Sequence, residues 1–289
     1  MKKIILLPNP EKDEGFRVAR QAIYRLRSNG AKVYVDKKYK DLYWDEVETY
    51  KTMPSDADLC IVMGGDGSFL DAAPFAIKNQ IPMLGINLGR IGFLSVVEPG
   101  KMALLDKLFG KKLNISNRIV LSLTIHKSNG DVIVVERPAI NEVAITNSSK
   151  LALGEFSMTD SHGNSIAYRG DGLILATPTG SSAYSLSAGG PLVENGVEAI
   201  CATPVCVHSF FNRPVLFGLN SVITVRNTSE RNVDLDVVVD SRHSEVLSPG
   251  DEATIEVSDK RLLTIEYPNS GMLNTLRRKM EAAELKKHN

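Results

Sequence analysis

The sequence has no excess of either charge, few cysteines and no long apolar run, and each absence excludes a class of protein. Its 34 basic and 34 acidic residues balance, whereas nucleic-acid-binding proteins usually carry a basic excess. Three cysteines are an odd number and match no zinc or thioredoxin spacing, which favours a reducing compartment over a disulfide framework. No apolar run approaches the roughly 20 residues of a membrane span. We therefore expect a cytoplasmic protein that binds neither nucleic acid nor membrane.

The first third of the chain alternates strand-like and helix-like segments. Short apolar runs predict strands at residues 4–7, 32–35, 59–63 and 83–88. A helix between the first two strands has its apolar residues on one face: Phe16, Ala19, Ile23 and Leu26. A second helix is expected from about Ser68, and Pro74 predicts that it is short or kinked. The alternation predicts an α/β N-terminal domain with an open, mostly parallel, Rossmann-like sheet.

From about residue 117 the apolar residues alternate with period two, which is typical of antiparallel strands. Such segments lie at 121–125, 132–134, 222–224, 235–239 and 263–265, with turn signals at 128–130 and 248–250. Helical spacing returns after 268–271 and is followed by a charged tail. We predict an α/β domain over residues 1–116 with 271–289 and a mainly antiparallel β domain over 117–270. The terminal helix is expected to pack back on the first domain.

A glycine-rich loop follows the most apolar strand and opens the second helix. Its glycines, Gly64, Gly65 and Gly67, let backbone amides approach an anion closely. The helix N-terminus near Ser68 adds N–H donors and a positive dipole end, which together predict phosphate binding. Because a carboxylate repels phosphate, Asp66 is a candidate general base or a Mg²⁺ ligand. The structural alternative is a tight turn in which Asp66 caps the helix.

Residues 170–191 form the most informative segment of the chain. A carboxylate between two glycines, Asp171, precedes an apolar strand and a run of small hydroxylated residues around Gly180. Such a run is too polar for ordinary core, and it offers hydroxyls and amides to a ligand with sugar, phosphate and base groups. Tyr184 is suited to hydrogen bonding or to stacking on a ring. By composition alone, the run also fits an ordinary loop.

These segments resemble those of a known family. The glycine loop resembles the signature shared by NAD kinases, diacylglycerol-type lipid kinases and phosphofructokinases, and residues 177–191 resemble the long NAD kinase signature almost continuously. Ser182 stands where that family commonly has Thr. Asn141-Glu142 and the segment 89–94 also resemble family segments, whereas Ser241-Arg242 depart from the Asp-Gly-Gln that often occurs there. On nearly its whole length, the chain is identified as a member of the NAD kinase family.

The resemblance implies transfer of a phosphoryl group from ATP, or from polyphosphate, to the 2′-hydroxyl of the adenosine ribose of NAD. Asp66 would be the catalytic residue, and the phosphate-binding residues would be Gly64, Gly65, Gly67 and Ser68. The implied NAD-binding residues are Phe93, Asn141, Glu142, Arg169, Asp171, Thr179, Ser182, Ala183, Tyr184, Ser187 and Asp240. Mg²⁺ is the expected cofactor, held through the substrate phosphates with no protein ligand assigned. The family also implies a homodimer or homotetramer assembled through the β-rich domain.

Four alternatives compete with this interpretation. A lipid or sugar kinase shares the glycine loop but has nothing similar to residues 177–191. A Rossmann dehydrogenase is disfavoured by the missing G-x-G-x-x-G and by the β-rich second half. A serine hydrolase is disfavoured because residues 180–182 do not form a G-x-S-x-G elbow. A non-catalytic NAD-binding sensor is the remaining alternative, and the presence of Asp66 favours an enzyme over it.

Overall fold

The computed structural model describes residues 1–39, 47–110, 113–149, 152–268 and 271–285. The chain divides into two compact units, one made of Met1–Asn117 with Leu262–Asn289 and the other of Arg118–Arg261. The predicted turn residues 269 and 270, and the end of the charged tail at 286–289, lie outside the described residues. Within the described ranges, no helix is long and apolar enough to cross a membrane.

The first unit is built on a parallel sheet. Its strands are β1 Lys3–Leu7, β2 Lys32–Asp36, β3 Glu48–Tyr50, β4 Leu59–Gly64, β5 Met83–Asn87 and β6 Ser95–Val97. They pair in the order β3-β2-β1-β4-β5-β6, and every pairing is parallel. All residues of β4 and β5 are buried, as expected for strands covered on both faces. The predicted open, mostly parallel sheet is confirmed.

Among the described residues before 118, two α-helices and three 3-10 segments accompany this sheet. They are α1 Arg17–Ser28 and α2 Asp66–Asn79, with 3-10 segments at Glu14–Phe16, Lys37–Tyr39 and Pro99–Phe109. One face of α1 is buried, at Ala19, Ala22, Ile23 and Leu26. Of the two expectations for the second helix, short or kinked at Pro74, the short one was wrong, since α2 runs through Pro74 for 14 residues. Phe69 and Ile77 are buried on either side of that proline, and their burial offsets the ~3 kcal/mol that an internal proline costs.

The second unit is an antiparallel β structure. Its strands are β7 Ile115–His126, β8 Val132–Ala139, β9 Glu142–Asn147, β10 Gly154–Thr159, β11 Ser165–Gly170, β12 Gly172–Ala176, β13 Ala199–Val205, β14 Val215–Gly218, β15 Ile223–Asn227, β16 Leu235–Val239, β17 Arg242–Leu247 and β18 Glu252–Ile265. One sheet has the order β14-β13-β12-β9-β16-β17. The other includes β11-β10-β15-β18, with β7 and β8 paired beside β18. Buried residues of both sheets, such as Phe156 and Leu173, share one core, so the predicted antiparallel domain is confirmed.

The last helix belongs to the first unit. The second unit also contains a short 3-10 segment, Gly180–Ser182, and the single helical turn α3, Tyr184–Ser187. The terminal helix of the first unit, α4, spans Met272–Leu285. Its Arg278 forms an ion pair with Glu98 of the α/β domain. The terminal helix therefore packs on that domain, as predicted.

Candidate active site

The glycine loop lies where β4 ends and α2 begins. The predicted phosphate-binding residues follow one another there: Gly64, Gly65, Gly67 and Ser68. The first N–H groups of a helix have no partner within the helix, so the loop presents donors and the positive dipole end. The Ser68 hydroxyl accepts a hydrogen bond from the Asn9 side-chain amide at 3.1 Å. The loop after β1 and the glycine loop after β4 are thereby joined at the carboxyl edge of the sheet.

The Asp66 carboxylate is held by backbone from a distant segment. The Phe93 N–H donates to its Oδ2 at 2.9 Å, and the Leu94 N–H donates to its Oδ1 at 3.1 Å. A Cβ atom on Gly92 would overlap the Oδ1 atom, so the approach requires glycine there. Both oxygens are bound to this segment, so the alternative in which Asp66 caps its own helix does not describe the loop. Each oxygen retains a second acceptor position.

A lysine of the terminal helix covers Phe93, which is half-buried. The Lys279 Nζ atom lies 4.0 Å from the centroid of the Phe93 ring, within cation–π distance. Burial lowers the pKa of Lys279, and the Asp66 carboxylate opposes that shift by favouring the charged ammonium. A cation therefore lies within electrostatic reach of Asp66. Sequence reasoning missed it, since Lys279 is remote along the chain and no family segment quoted above includes it.

In the second unit, Asp240 holds the Asn141-Glu142 dipeptide through its backbone. Its carboxylate accepts hydrogen bonds from the N–H groups of Ile140 at 2.9 Å, Asn141 at 2.7 Å and Glu142 at 3.2 Å. Burial raises the pKa of Asp240, while the three N–H donors and the charge of Arg137 oppose the shift. The geometry makes Asp240 a residue that positions the dipeptide.

Glu142 combines burial with unused hydrogen-bonding capacity. Its side chain is only 4% exposed, and among the described residues its Oε2 atom has no hydrogen-bond partner. Burial and then the neighbouring Asp240 raise the pKa of Glu142 to about 7, against the effect of the Tyr184 backbone N–H. A buried carboxyl group with a pKa near neutrality and a free acceptor is a candidate for direct contact with a ligand.

Residues 177–187 lie against the same dipeptide. The Thr177 hydroxyl donates to the Ile140 carbonyl at 2.6 Å and accepts from the Gly180 N–H at 3.1 Å. A Cβ atom on Gly180 would overlap the Asn141 carbonyl oxygen, so only glycine permits this backbone contact. The small residues at this position therefore serve close packing of two backbone segments.

The remaining residues of this segment divide into an inner and an outer group. Thr179 is buried, and its hydroxyl lies 3.4 Å from the Asn195 side-chain oxygen. The partly or fully exposed side chains are those of Ser182, Ala183, Tyr184, Leu186 and Ser187. Beside Asn141, the structure thus presents a surface of hydroxyl groups with one aromatic ring and one exposed leucine.

Arg169 and Asp171 lie at the opposite end of β12. Asp171 is exposed and immediately precedes the five-residue strand, whereas Thr177 immediately follows it. Extended backbone between these two positions spans roughly 20 Å. Arg169 forms an ion pair with Glu155 at 3.5 Å. Within one copy of the chain, Arg169 and Asp171 are therefore separated from the surface beside Asn141.

Comparison with known proteins places the chain in a family. Family profiles match residues 4–109, as the ATP-NAD kinase N-terminal domain, and residues 140–267, as the ATP-NAD kinase C-terminal domain. The NAD kinase of Lachnoclostridium phytofermentans is 32% identical over 285 residues, which cover 96% of this chain and 99% of the relative. The chain belongs to the NAD kinase family. The NAD kinase of Magnetococcus marinus is 35% identical over 228 residues, covering 78% of this chain and 74% of the relative.

Solved structures of NAD kinase relatives share the fold. A crystal structure of yeast NADH kinase complexed with NADH matches with a TM-score of 0.84 at 22% identity, covering 97% of this chain and 88% of that one. A crystal structure of an NAD kinase from Archaeoglobus fulgidus in complex with ATP matches with a TM-score of 0.71 at 22% identity, covering 96% and 99%. The predicted fold class is thus confirmed by comparison as well.

The departure from the NAD kinase pattern lies in the two-residue turn between β16 and β17. Asp240 has a φ of 47° and Ser241 a φ of 64°, both in the left-handed region. Such a turn favours glycine at its second position, and NAD kinases often have Asp-Gly there. Arg242 begins β17 and is exposed. The Asp240 carboxylate accepts its hydrogen bonds from the N–H groups of residues 140–142 even though Ser241 stands in place of glycine. The departure therefore affects the conformation of the turn and leaves those hydrogen bonds in place.

Within the described residues, no group of three or more His, Cys, Asp or Glu side chains is placed to hold a metal ion. Mg²⁺ in phosphoryl-transfer sites is commonly bound by one or two carboxylates together with substrate phosphates. Asp66 fits that donor set, because it is a carboxylate beside the glycine loop with acceptor positions left over.

Proposed function

We propose that this chain transfers the terminal phosphoryl group of ATP to the 2′-hydroxyl of the adenosine ribose of NAD, giving NADP. The observation that carries the proposal is the Asp66 carboxylate, fixed by two backbone N–H groups beside the glycine loop. Membership of the NAD kinase family and relatives named NAD kinase support it. Polyphosphate is an alternative donor.

In this proposal the protein contributes mainly position and charge. Phosphoryl transfer needs little covalent chemistry from the enzyme, so alignment and electrostatics dominate. The backbone N–H groups of Gly64, Gly65, Gly67 and Ser68 would bind ATP phosphate oxygens. Asp66 would accept the proton of the attacking hydroxyl at a carboxylate oxygen already oriented by Phe93 or Leu94.

Mg²⁺ is proposed as the cofactor. It would be held by phosphate oxygens of the substrate, with Asp66 as the nearby carboxylate, and would neutralise phosphate charge. The Lys279 ammonium would add to that neutralisation.

The NAD-binding surface is proposed to include residues of the second unit. The buried Oε2 atom of Glu142, which has no hydrogen-bond partner within the described ranges, suits a ribose hydroxyl, and Asn141 offers an amide suited to an adenine edge. The proposed contacts nearby are Ser182, Ala183, Tyr184 and Ser187. Thr179 and Asp240 would act by holding backbone, and Phe93 by holding Asp66 through its N–H.

The family resemblance also leads us to propose a homodimer or homotetramer in the cytoplasm. Arg169 and Asp171 are far from Asn141 within one chain, so their predicted part in NAD binding is easier to meet in an oligomer. Free cysteines at positions 60, 201 and 206 fit a reducing compartment. Light scattering of the purified chain tests the assembly directly, and a monomer would contradict it.

The function is tested by incubating the purified protein with NAD, ATP and Mg²⁺ and detecting NADP with an NADP-specific dehydrogenase. We expect NADP from the wild type. In Asp66→Asn, turnover should fall by about 100-fold or more because the general base is lost. The matched control is Asp71→Asn, which changes an exposed aspartate of the same helix and should retain activity.

Two results would contradict parts of the proposal. Full turnover in Asp66→Asn would remove Asp66 as the base. Binding of NAD without NADP formation, with ATP or polyphosphate as donor, would instead favour a non-catalytic NAD sensor.

A further inference from the structure

The strand order of the first unit creates a crevice at one position. In the order β3-β2-β1-β4-β5-β6, β2 and β3 lie on one side of β1, whereas β5 and β6 lie on the other side of β4. The direction in which successive strands are added therefore reverses between β1 and β4. In open α/β sheets, ligands bind beyond the carboxyl ends of the strands at such a reversal. The glycine loop follows β4, and residues 8–13 follow β1, so these two loops border the crevice.

Asn9 fixes the first part of the loop after β1. Its side-chain amide donates to the Ser68 hydroxyl at 3.1 Å, and its Oδ1 accepts from the Glu11 N–H at 3.1 Å. Its carbonyl accepts from the N–H groups of Lys12 at 3.2 Å and Asp13 at 3.0 Å. The loop is therefore tied both to itself and to the first turn of α2.

Asp13 fixes the other side of the loop. It is only 3% exposed, and its carboxylate accepts from the N–H of Val18 at 3.0 Å and of Ala19 at 2.8 Å at the start of α1. Lys12 thus lies between Asn9 and Asp13, whose side chains are both held by hydrogen bonds. These bonds fix the backbone position of Lys12.

The side chain of Lys12 lies over the glycine loop. Its Nζ atom is 3.2 Å from the position that a Cβ on Gly65 would occupy, and 3.9 Å from the same position on Gly89, which follows β5. Lys12 is exposed, and no carboxylate of the described residues forms an ion pair with it. An uncompensated ammonium is therefore placed above glycine backbone at the carboxyl ends of β4 and β5.

We propose that Lys12 is a binding residue for the phosphate oxygens of ATP. This inference rests on the proposed function and adds a charge to the neutral N–H groups of the glycine loop. Phosphate oxygens seated on the Gly65 backbone would come within reach of the Lys12 ammonium, which has three donors and no ion-pair partner in the part of the chain that the structure describes. The contact would reduce the repulsion between the phosphates and Asp66.

The test compares steady-state kinetics of the wild type with Lys12→Met, Lys12→Arg and a control, Lys107→Met. Lys12→Met keeps most of the side-chain length and removes the charge, and we expect KM for ATP to rise about 10- to 100-fold, as for loss of a charge-assisted hydrogen bond. KM for NAD should change less than twofold. Lys12→Arg should recover most of the ATP affinity, and Lys107→Met should match the wild type, since Lys107 is exposed elsewhere.

A KM for ATP within twofold of wild type in Lys12→Met would overturn the proposal, as would equal increases for ATP and NAD. Calorimetry without NAD measures the dissociation constant of ATP for the wild type and for Lys12→Met. This comparison tests the role of Lys12 independently of whether the protein makes NADP. If the wild type makes no NADP, the proposed function fails, and the ratio of the two ATP dissociation constants still decides for or against Lys12.

Discussion

Replacing Glu142 by glutamine should stabilise the protein above neutral pH while impairing its use of NAD. The Glu142 carboxyl group is buried, its Oε2 atom has no hydrogen-bond partner among the described residues, and the carboxylate of Asp240 is nearby. Burial first, and Asp240 second, raise its pKa from 4.5 to about 7. The folded state therefore holds a proton that the unfolded chain has already released.

The sign and size of the effect follow from this difference. Between the unfolded and folded pKa values, the native state binds more protons, so stability falls as pH rises. The contribution of Glu142 is fully present below the unfolded pKa and is lost as pH rises through the folded pKa near 7. From pH 5 to pH 8 the loss amounts to about 2 kcal/mol. A glutamine side chain does not titrate, so Glu142→Gln should gain that amount relative to wild type over the same interval.

Urea denaturation of both proteins at pH 5, 6, 7 and 8 measures the effect. The control is Glu136→Gln, at an exposed position of β8, which should give a difference from wild type that does not vary with pH. A constant difference for Glu142→Gln across the interval would refute a pKa near 7. In the kinetic assay, the wild-type KM for NAD should rise as pH falls below 7, and this dependence should disappear in Glu142→Gln.

Three further changes test other parts of the structure. Gly92→Ala should reduce turnover by about 10-fold or more, since the added Cβ would displace Asp66; wild-type kinetics would contradict the packing at this glycine. Ser241→Gly should raise the unfolding free energy by roughly 0.5–1 kcal/mol in thermal denaturation, because glycine relieves a left-handed φ, and an unchanged midpoint would argue against strain in the turn. Lys279→Gln should lower kcat several-fold with little change in Tm, and a large fall in Tm instead would point to a purely structural role.

Much of the fold was predictable because its signals are local. The unbroken apolar run before the glycine loop identified a strand buried on both faces, and period-two alternation identified the antiparallel domain. The error at Pro74 arose because local chemistry was weighed without the packing of α2, whose apolar residues on both sides of the proline are buried.

The contacts that organise the candidate site were not predictable, because they join distant parts of the chain. Asp66 is oriented by N–H groups 27 and 28 residues away, and Asp240 binds amides about 100 residues earlier. No periodicity or spacing reports such pairs. The family resemblance identified Asp240 by position, but only the structure assigns its carboxylate to the backbone of residues 140–142.

The contacts of Asp240 have a consequence for engineering substrate preference. Its carboxylate binds main-chain N–H groups, which every residue except proline supplies, so it places no demand on the side chains at positions 141 and 142. A library that randomises the half-buried position 141, excluding proline, and keeps Asp240 and the buried Glu142 should yield mostly folded variants with the segment in its original course. The proposed recognition of NAD at this segment can therefore be altered at position 141 without redesigning the scaffold beneath it, which makes the chain a suitable starting point for enzymes that accept altered dinucleotides.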